Sequence, residues 1–381
     1  MNINIYGSTG IIGKTALSII KKKYPNYKVN LLCAKNNFKL LAKQSREFNV
    51  KYLYLDNQKL IYKLKSLVPK NVKILEKAAL DDYLTTSKSD LSILSVAGFE
   101  SLKYLELILI NTEKIGIASK EAVVSAGHIL NKIAKKHKTK IVPLDSEHFS
   151  IYQNFNKINL QNQNFKKIYL TASGGPFINH KFDNLKNVSF AEATKHPKWK
   201  MGYKNSIDSA TLVNKCLEIL EAHYLFNIPL NKLDILIHPQ SLVHSIIEGN
   251  NYVSKMIYFQ NDMRIPLVNF LDNSNSLILP KYKKFDLLKQ LNLNFFQVSK
   301  ESYPLYFYFK SIEKTNPCNL IKFNVGNEHA VDLFKEKKIN YPEIMQIIKE
   351  ITSLNFNSDV NTIGKIIKYH EHLKGYIQDS Y

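Results

Sequence analysis

Two acids one residue apart, Asp145 and Glu147 in Pro143-Leu144-Asp145-Ser146-Glu147-His148, are the first residues able to do chemistry. A β-branched run predicts a strand over Lys140 to Leu144, and alternation along an extended chain turns both carboxylates to one side. Acids aimed at one point repel unless a cation lies between them, and oxygen ligands suit Mg²⁺ or Mn²⁺. An exposed acid pair at a strand end fits the same spacing. A further carboxylate, Glu218, lies in Ile207-Asp208-Ser209-Ala210-Thr211-Leu212-Val213-Asn214-Lys215-Cys216-Leu217-Glu218, within a helix predicted from about Ser209 to Phe226. Asn214 is four residues before Glu218 and Lys215 three, so on a helix they share its face. Such a cluster is costly in a cleft unless it serves a ligand; a surface ion pair is the plain alternative.

Gly7-Ser8-Thr9-Gly10-Ile11-Ile12-Gly13 follows the first predicted strand and opens a helix over Lys14 to Lys22. Glycines there permit a tight turn and bring the backbone close to a pyrophosphate seated on the helix N-terminus. The spacing G-x-x-G-x-x-G departs from G-x-G-x-x-G and also fits a structural turn. An NAD site places an acid about 20 residues on, but the second strand ends Leu31-Leu32-Cys33-Ala34-Lys35-Asn36. Lys35 suits a 2′-phosphate, which points to NADPH; in a lysine-rich chain it is equally a solvated lysine.

Three further segments carry polar groups. Thr171-Ala172-Ser173-Gly174-Gly175-Pro176-Phe177 ends a strand predicted over Lys167 to Ala172 and offers a hydroxyl and glycine amides to a phosphate, or is a plain turn. His196-Pro197-Lys198-Trp199-Lys200-Met201-Gly202 sets the single tryptophan in a charged loop, where it reads as the apolar face of a lid. His238-Pro239-Gln240-Ser241-Leu242-Val243-His244-Ser245 is a polar cluster after a strand over Asp234 to Ile237; histidines so placed are more often structural hydrogen-bonders than catalysts.

The elements that must hold these residues form three parts. Over 1–146, predicted strands (Asn2 to Tyr6, Lys28 to Cys33, Tyr52 to Leu55, Val72 to Leu75, Leu91 to Val96, Lys114 to Ala118 and Lys140 to Leu144) alternate with helical patterns, an α/β arrangement of Rossmann type. Residues 147–284 mix helix and strand, ending in a strand-like Tyr252 to Gln260, with the loop at about 195–205; 285–381 is helical. A chain of 381 residues, 45% hydrophobic, supports two or three domains. The net charge of +21 is spread along lysines, in step with an excess of Asn, Ile and Tyr, and no nucleic-acid-binding signature accompanies it. Apolar runs are too short for a membrane span, a strand begins at Asn2, and three scattered cysteines (Cys33, Cys216, Cys318) support neither a disulfide framework nor a cysteine zinc site. The expectation is a cytoplasmic protein without a leader, binding neither nucleic acid nor membrane.

Taken in order, the segments from Gly7 to Asn324-Val325-Gly326-Asn327-Glu328 resemble the 1-deoxy-D-xylulose 5-phosphate reductoisomerase family, above all Leu-Asp-Ser-Glu-His, Ser-Gly-Gly-Pro-Phe, His-Pro-x-Trp-x-Met-Gly and Asp-Ser-Ala-Thr-x-x-Asn-Lys-x-x-Glu. The resemblance implies an NADPH- and metal-dependent rearrangement and reduction of a sugar phosphate in the non-mevalonate isoprenoid pathway, by a homodimer whose middle part is the catalytic and dimerisation domain. It implies metal ligation by Asp145, Glu147 and Glu218, and a phosphate end held by Ser173, Ser209, Asn214 and Lys215 with help from His196. Lys120 and Ser146 would contact substrate near the metal. For the cofactor it implies Thr9, Gly10, Ile11, Ile12, Lys35, Asn36, Ser119, Glu121 and Gly202, with Trp199 and Met201 as the lid. Ser119 stands where the family often has Asn; Lys198, Lys200 and Tyr203 alter the lid, and Val325 and Gly326 replace a small Ala pair. A metal-free NADP dehydrogenase explains the first part alone and leaves the three acids idle; a nucleotide- or nucleic-acid-binding protein without turnover explains only the sheet and the charge.

Overall fold

The computed structural model describes residues 1–155, 165–195, 202–272 and 292–380. Strands and helices first alternate: β1 (Asn2–Tyr6), α1 (Ile11–Lys23), β2 (Lys28–Ala34), α2 (Phe38–Glu47), β3 (Tyr52–Leu55), α3 (Ile61–Lys65), β4 (Lys73–Leu75), α4 (Lys77–Thr86), β5 (Ser89–Leu94), α5 (Leu102–Asn111), β6 (Thr112–Ile117), α6 (Lys120–His137) and β7 (Lys140–Pro143). Then come α7 (Ser146–Phe155), β8 (Phe165–Ala172), α8 (Phe190–Ala193), α9 (Tyr203–Ala210), α10 (Val213–Phe226), β9 (Leu233–Ile237), β10 (Val243–Gly249), β11 (Ser254–Tyr258) and α11 (Arg264–Leu271). The last part holds β12 (Phe296–Gln297), α12 (Pro304–Ser311), α13 (Pro317–Lys335), α14 (Glu343–Ser353) and α15 (Ile363–Ser380).

Two compact units result. The first gathers Met1–Ala122, Ile129–Phe149 and the stretch beginning at Asp262. Its sheet runs β4-β3-β2-β1-β5-β6-β7, with every pairing parallel. Parallel strands are apolar on both faces because helices cover both; Ile3, Ile5, Leu32, Leu53, Leu91 and Ile93 are buried together with Leu267, Val268 and Phe270 of α11. The order reverses between β1 and β5, and open α/β sheets put ligands outside the strand ends at such a point. Backbone there is tightly stacked. Ser95 donates its amide (2.9 Å) and its hydroxyl (2.8 Å) to the Tyr6 carbonyl. Gly7 has φ +87°, and a Cβ on it would lie 2.5 Å from the Ser95 carbonyl oxygen.

The second unit comprises Val123–His128, Ser150–Asn261 and the C-terminal helices. Its sheet is β11-β10-β8-β9-β12, parallel between β8 and β9 and otherwise antiparallel.

Three local expectations change. The helix expected from Ser209 to Phe226 is two helices, broken where Leu212 takes a left-handed φ of +61° and caps α10; Ser209 therefore sits on α9. The polar stretch to Ser245 runs into an unexpected strand, β10, because its pairing with β8 is non-local: Ser245 opposes Leu170, and Ile247 opposes Ile168. Among the described residues, the C-terminal part adds one short strand to its helices, β12, whose Phe296 pairs with Ile237.

Gly13 is the sharpest packing constraint in the glycine turn, since a Cβ there would stand 2.4 Å from the Gly7 carbonyl oxygen and 2.5 Å from Ser8 Cα. Gly13→Ala is expected to lower stability by about 3 kcal/mol, the upper range for overpacking, seen as an earlier urea midpoint with an unchanged slope.

Candidate active site

The first unit supplies one acid pair. β7 stops at Pro143, so Asp145 and Glu147 are not placed by strand alternation as the sequence suggests. A helix start organises them. Asp145 stands at the N-cap of α7: its main-chain oxygen accepts the Phe149 N–H (2.8 Å) and its carboxylate accepts the Glu147 N–H (3.2 Å). Glu147 lies in the first turn, where a negative charge is favoured, and accepts the Ser146 hydroxyl at 2.7 Å. Lys120, the first residue of α6, places its Nζ 2.9 Å from Asp145 Oδ2, and His148 Nδ1 lies 3.5 Å from Oδ1. Burial alone would push the Asp145 carboxyl up; the Lys120 ammonium and the His148 ring outweigh it and hold the group well below the usual carboxylate range. Asp145 and Glu147 thus present two carboxylates from one helix start, oxygen ligands of the kind a hard divalent cation takes. Cys33, the one cysteine of this unit, is buried in β2.

The same unit holds the expected cofactor residues. Gly10 caps α1 without a side-chain hydrogen bond, no acid occupies the first turn, and Ile11 is 57% exposed. An uncapped, acid-free N-terminus at the strand switch point fits a phosphate group. Thr9 and Ile12 are half-buried beside it, and Gly10 donates its N–H to the Gly7 carbonyl at 3.0 Å. Lys35 and Asn36 are exposed just past β2, with Asn36 Oδ1 accepting from Asn57 Nδ2 at 3.0 Å. No acid stands at these two positions. Ser119 is buried and donates its hydroxyl to the Val96 carbonyl at 2.5 Å, so its side chain braces the loop after β5. Glu121 follows, buried in the first turn of α6.

The second unit supplies the other cluster. On α10, Glu218 is 1% exposed and accepts from Lys215 Nζ at 2.5 Å and from the Asn214 amide. The shared face read from the spacing is therefore present, and Cys216, Leu217 and Leu220 of the same helix are buried. The Ser173-Gly174-Gly175 turn folds on itself, the Gly175 N–H donating to Ser173 Oγ at 3.2 Å with Gly174 and Gly175 at φ +84° and +65°. It presses against the end of α9: a Cβ on Gly175 would lie 2.9 Å from Ala210 Cα and 3.0 Å from the Ser209 oxygen. Ser173 and Ser209 thus come from neighbouring backbone. Gly202 caps α9 and is exposed. His196, Trp199 and Met201 lie outside the described residues.

Sequence reasoning overlooked Asp208. It is buried on α9, ion-paired to Lys204 at 2.7 Å and held by the Asn327 amide of α13 at 2.8 Å. Its place inside Asp-Ser-Ala-Thr was the available signal. His238 and His244 are structural here, stacked on Phe295 (4.6 Å) and Phe259 (4.1 Å), with His238 Nδ1 2.8 Å from the Asn294 carbonyl.

Because Glu218 is buried against Lys215, Lys215→Met is expected to cost about 3 kcal/mol in chelator-treated protein, the loss typical of breaking a buried pair. Adding Glu218→Gln should return part of that stability in guanidinium unfolding.

Three sequence profiles match: 1-deoxy-D-xylulose 5-phosphate reductoisomerase over residues 3–127, its C-terminal domain over 141–226, and the DXP reductoisomerase C-terminal domain over 260–376. The chain is 37% identical to the reductoisomerase of Wolbachia sp. subsp. Drosophila simulans (strain wRi), covering 96% of this chain and 94% of that protein. It is 36% identical to that of Pelagibacter ubique (98% and 97% covered). Among solved structures, the Zymomonas mobilis enzyme in complex with NADPH matches with a TM-score of 0.88 at 29% identity, covering 98% of this chain and 97% of that one. A DOX-P reductoisomerase in complex with NADPH, fosmidomycin and magnesium matches with a TM-score of 0.90 at 28% identity, covering 100% and 98%. With its profiles in order along the chain and relatives matched nearly end to end, the protein belongs to the 1-deoxy-D-xylulose 5-phosphate reductoisomerase family.

Proposed function

We propose that this chain catalyses the NADPH-dependent rearrangement and reduction of 1-deoxy-D-xylulose 5-phosphate to 2-C-methyl-D-erythritol 4-phosphate with a divalent metal, a step of the non-mevalonate route to isoprenoid precursors. Full-length family membership is the observation that carries the reading. In it, Asp145, Glu147 and Glu218 hold Mg²⁺ or Mn²⁺. The support is chemical: carboxylates are the oxygen ligands a hard divalent cation takes, Asp145 and Glu147 stand together at the start of α7, and Glu218 is buried on α10.

The metal, when bound, supplies a Lewis acid for the substrate's carbonyl and hydroxyl oxygens, and NADPH, when bound, supplies the hydride. The rest falls to the chain. Lys120 and Ser146 contact the substrate at the acid pair, and Lys120 also offsets the charge of Asp145 there. Ser173, Ser209, Asn214 and Lys215 bind the phosphate end, orienting the reacting carbons through a group that does not react. Thr9, Gly10, Ile11 and Ile12 present the uncapped start of α1 to the pyrophosphate, Lys35 takes the 2′-phosphate, and Asn36, Ser119, Glu121 and Gly202 complete the cofactor contacts. The loop at 195–205, with His196, Trp199 and Met201, orders the substrate and excludes water.

The remaining assignments are of the same kind. The working division is a cofactor domain over 1–146, a catalytic and dimerisation domain over 147–284 and a helical domain over 285–381. The enzyme is a homodimer, as family membership suggests, and works in the cytoplasm, where three buried free cysteines and bacterial relatives fit. No helix among the described residues is long and apolar enough to cross a membrane.

NADPH absorbance is expected to fall on adding 1-deoxy-D-xylulose 5-phosphate with Mg²⁺ or Mn²⁺, to stop with chelator, and to slow at least ~100-fold in Glu218→Gln. No oxidation by folded protein that still binds NADPH would remove the substrate assignment and leave a plain dehydrogenase. Light scattering at micromolar concentration should give twice 44.0 kDa; a single 44.0 kDa species would contradict the dimer.

A further inference from the structure

Beyond the residues assigned above, the second unit contains a route by which its C-terminal helices fix the phosphate-binding end. Asp208 is buried, its side chain 1% exposed, and a carboxylate so placed must be fully partnered. One partner is local, Lys204 one turn earlier on α9. The other comes from 119 residues away: Asn327, itself buried on α13, donates its amide to Asp208 Oδ1 at 2.8 Å. Asp208 directly precedes Ser209, and the Ser209–Ala210 backbone is what the Gly175 turn packs against.

A second contact grips that turn from the other side. Tyr303, buried just before α12, donates its hydroxyl to the Gly174 carbonyl at 2.7 Å. At its N-terminal end, α9 is tied to α13 again: Tyr203 places its hydroxyl 3.4 Å from Asp332 Oδ1, lies under the Lys335 ammonium at 4.4 Å, and packs at a tilt against Phe190, which packs on Phe334.

We propose that Asn327 and Tyr303 are positioning residues for the substrate's phosphate group, Asn327 setting the pitch of α9 through Asp208 and Tyr303 setting the height of the Ser173-Gly174-Gly175 turn. This rests on the reading that Ser173 and Ser209 bind that phosphate. Neither residue touches substrate. Their effect is on where two hydroxyls stand, so they govern binding of the remote group more than the reacting carbons.

The test compares Asn327→Ala, Tyr303→Phe and Ser209→Ala in the full-length enzyme with NADPH and Mg²⁺, reading KM, kcat, inhibition by inorganic phosphate, NADPH affinity and Tm. Loss of a hydrogen bond to a buried charge predicts a KM rise of roughly 10-fold for Asn327→Ala. Tyr303→Phe, which removes only an oxygen, should raise KM by about 3- to 10-fold. The phosphate inhibition constant should rise in parallel in both, with kcat within about twofold and NADPH affinity unchanged. Exchanging donor and acceptor, Asp208→Asn with Asn327→Asp, should recover most of the loss. If both variants lower Tm yet leave KM and phosphate inhibition at the parental values while Ser209→Ala raises them, the inference is overturned and the phosphate reading stands. If Ser209→Ala leaves them unmoved, the phosphate reading itself fails. Should Asn327→Ala not fold, Tyr303→Phe decides alone.

Discussion

A carboxylate withdrawn from water needs a positive or strongly donating partner, and this protein meets that demand three times. Asp145 is held by Lys120, Glu218 by Lys215 and Asn214, and Asp208 by Lys204 and Asn327. Lys215 and Lys204 reach their acids within one turn of α10 and of α9, whereas Lys120, at the start of α6, is brought to Asp145 by the parallel pairing of β6 with β7. The first two acids, together with Glu147, are the ones proposed to meet a metal. The third has no such ligand, and its partners secure a helix. The same physical rule thus serves binding in two places and architecture in the third.

Much of this was legible in the sequence because it is local. Asn214, Lys215 and Glu218 meet because helical spacing makes them meet, and the glycine turn after β1 reads as a backbone constraint that Gly7 and Gly13 then satisfy. What was misread is governed by distant contacts or by unusual backbone. Leu212 in a left-handed conformation is not a residue choice that announces a helix break, so α9 and α10 read as one helix. The strand β10 carries His244 and Ser245 among apolar residues, and its identity comes from pairing with β8 some 75 residues earlier. Asp145 and Glu147 were expected near one another for the wrong reason: the sequence shows a strand ending there, but the N-cap geometry that organises them depends on α7 beginning at Ser146.

The strong positive charge has a modest structural role. Lysines pair with acids on exposed surfaces, as in Lys21–Glu47, Lys77–Asp81 and Lys166–Glu248, and such pairs contribute little to stability. The excess left over creates a field that favours approach of anions, and both the substrate and the cofactor of the proposed reaction are anionic.

The return of α11 to the first unit has a consequence for the life of the chain. Leu267, Val268, Phe270 and Leu271 are part of the same apolar core as Ile3 and Ile5, and the carbonyls of Phe270 and Leu271 accept from Lys114 and Tyr27. An N-terminal fragment ending near residue 150 would carry all seven strands of the parallel sheet and still expose the surface that these side chains cover. During synthesis the first unit therefore waits, incomplete, while more than a hundred residues of the other unit emerge, and it closes only when α11 has left the ribosome.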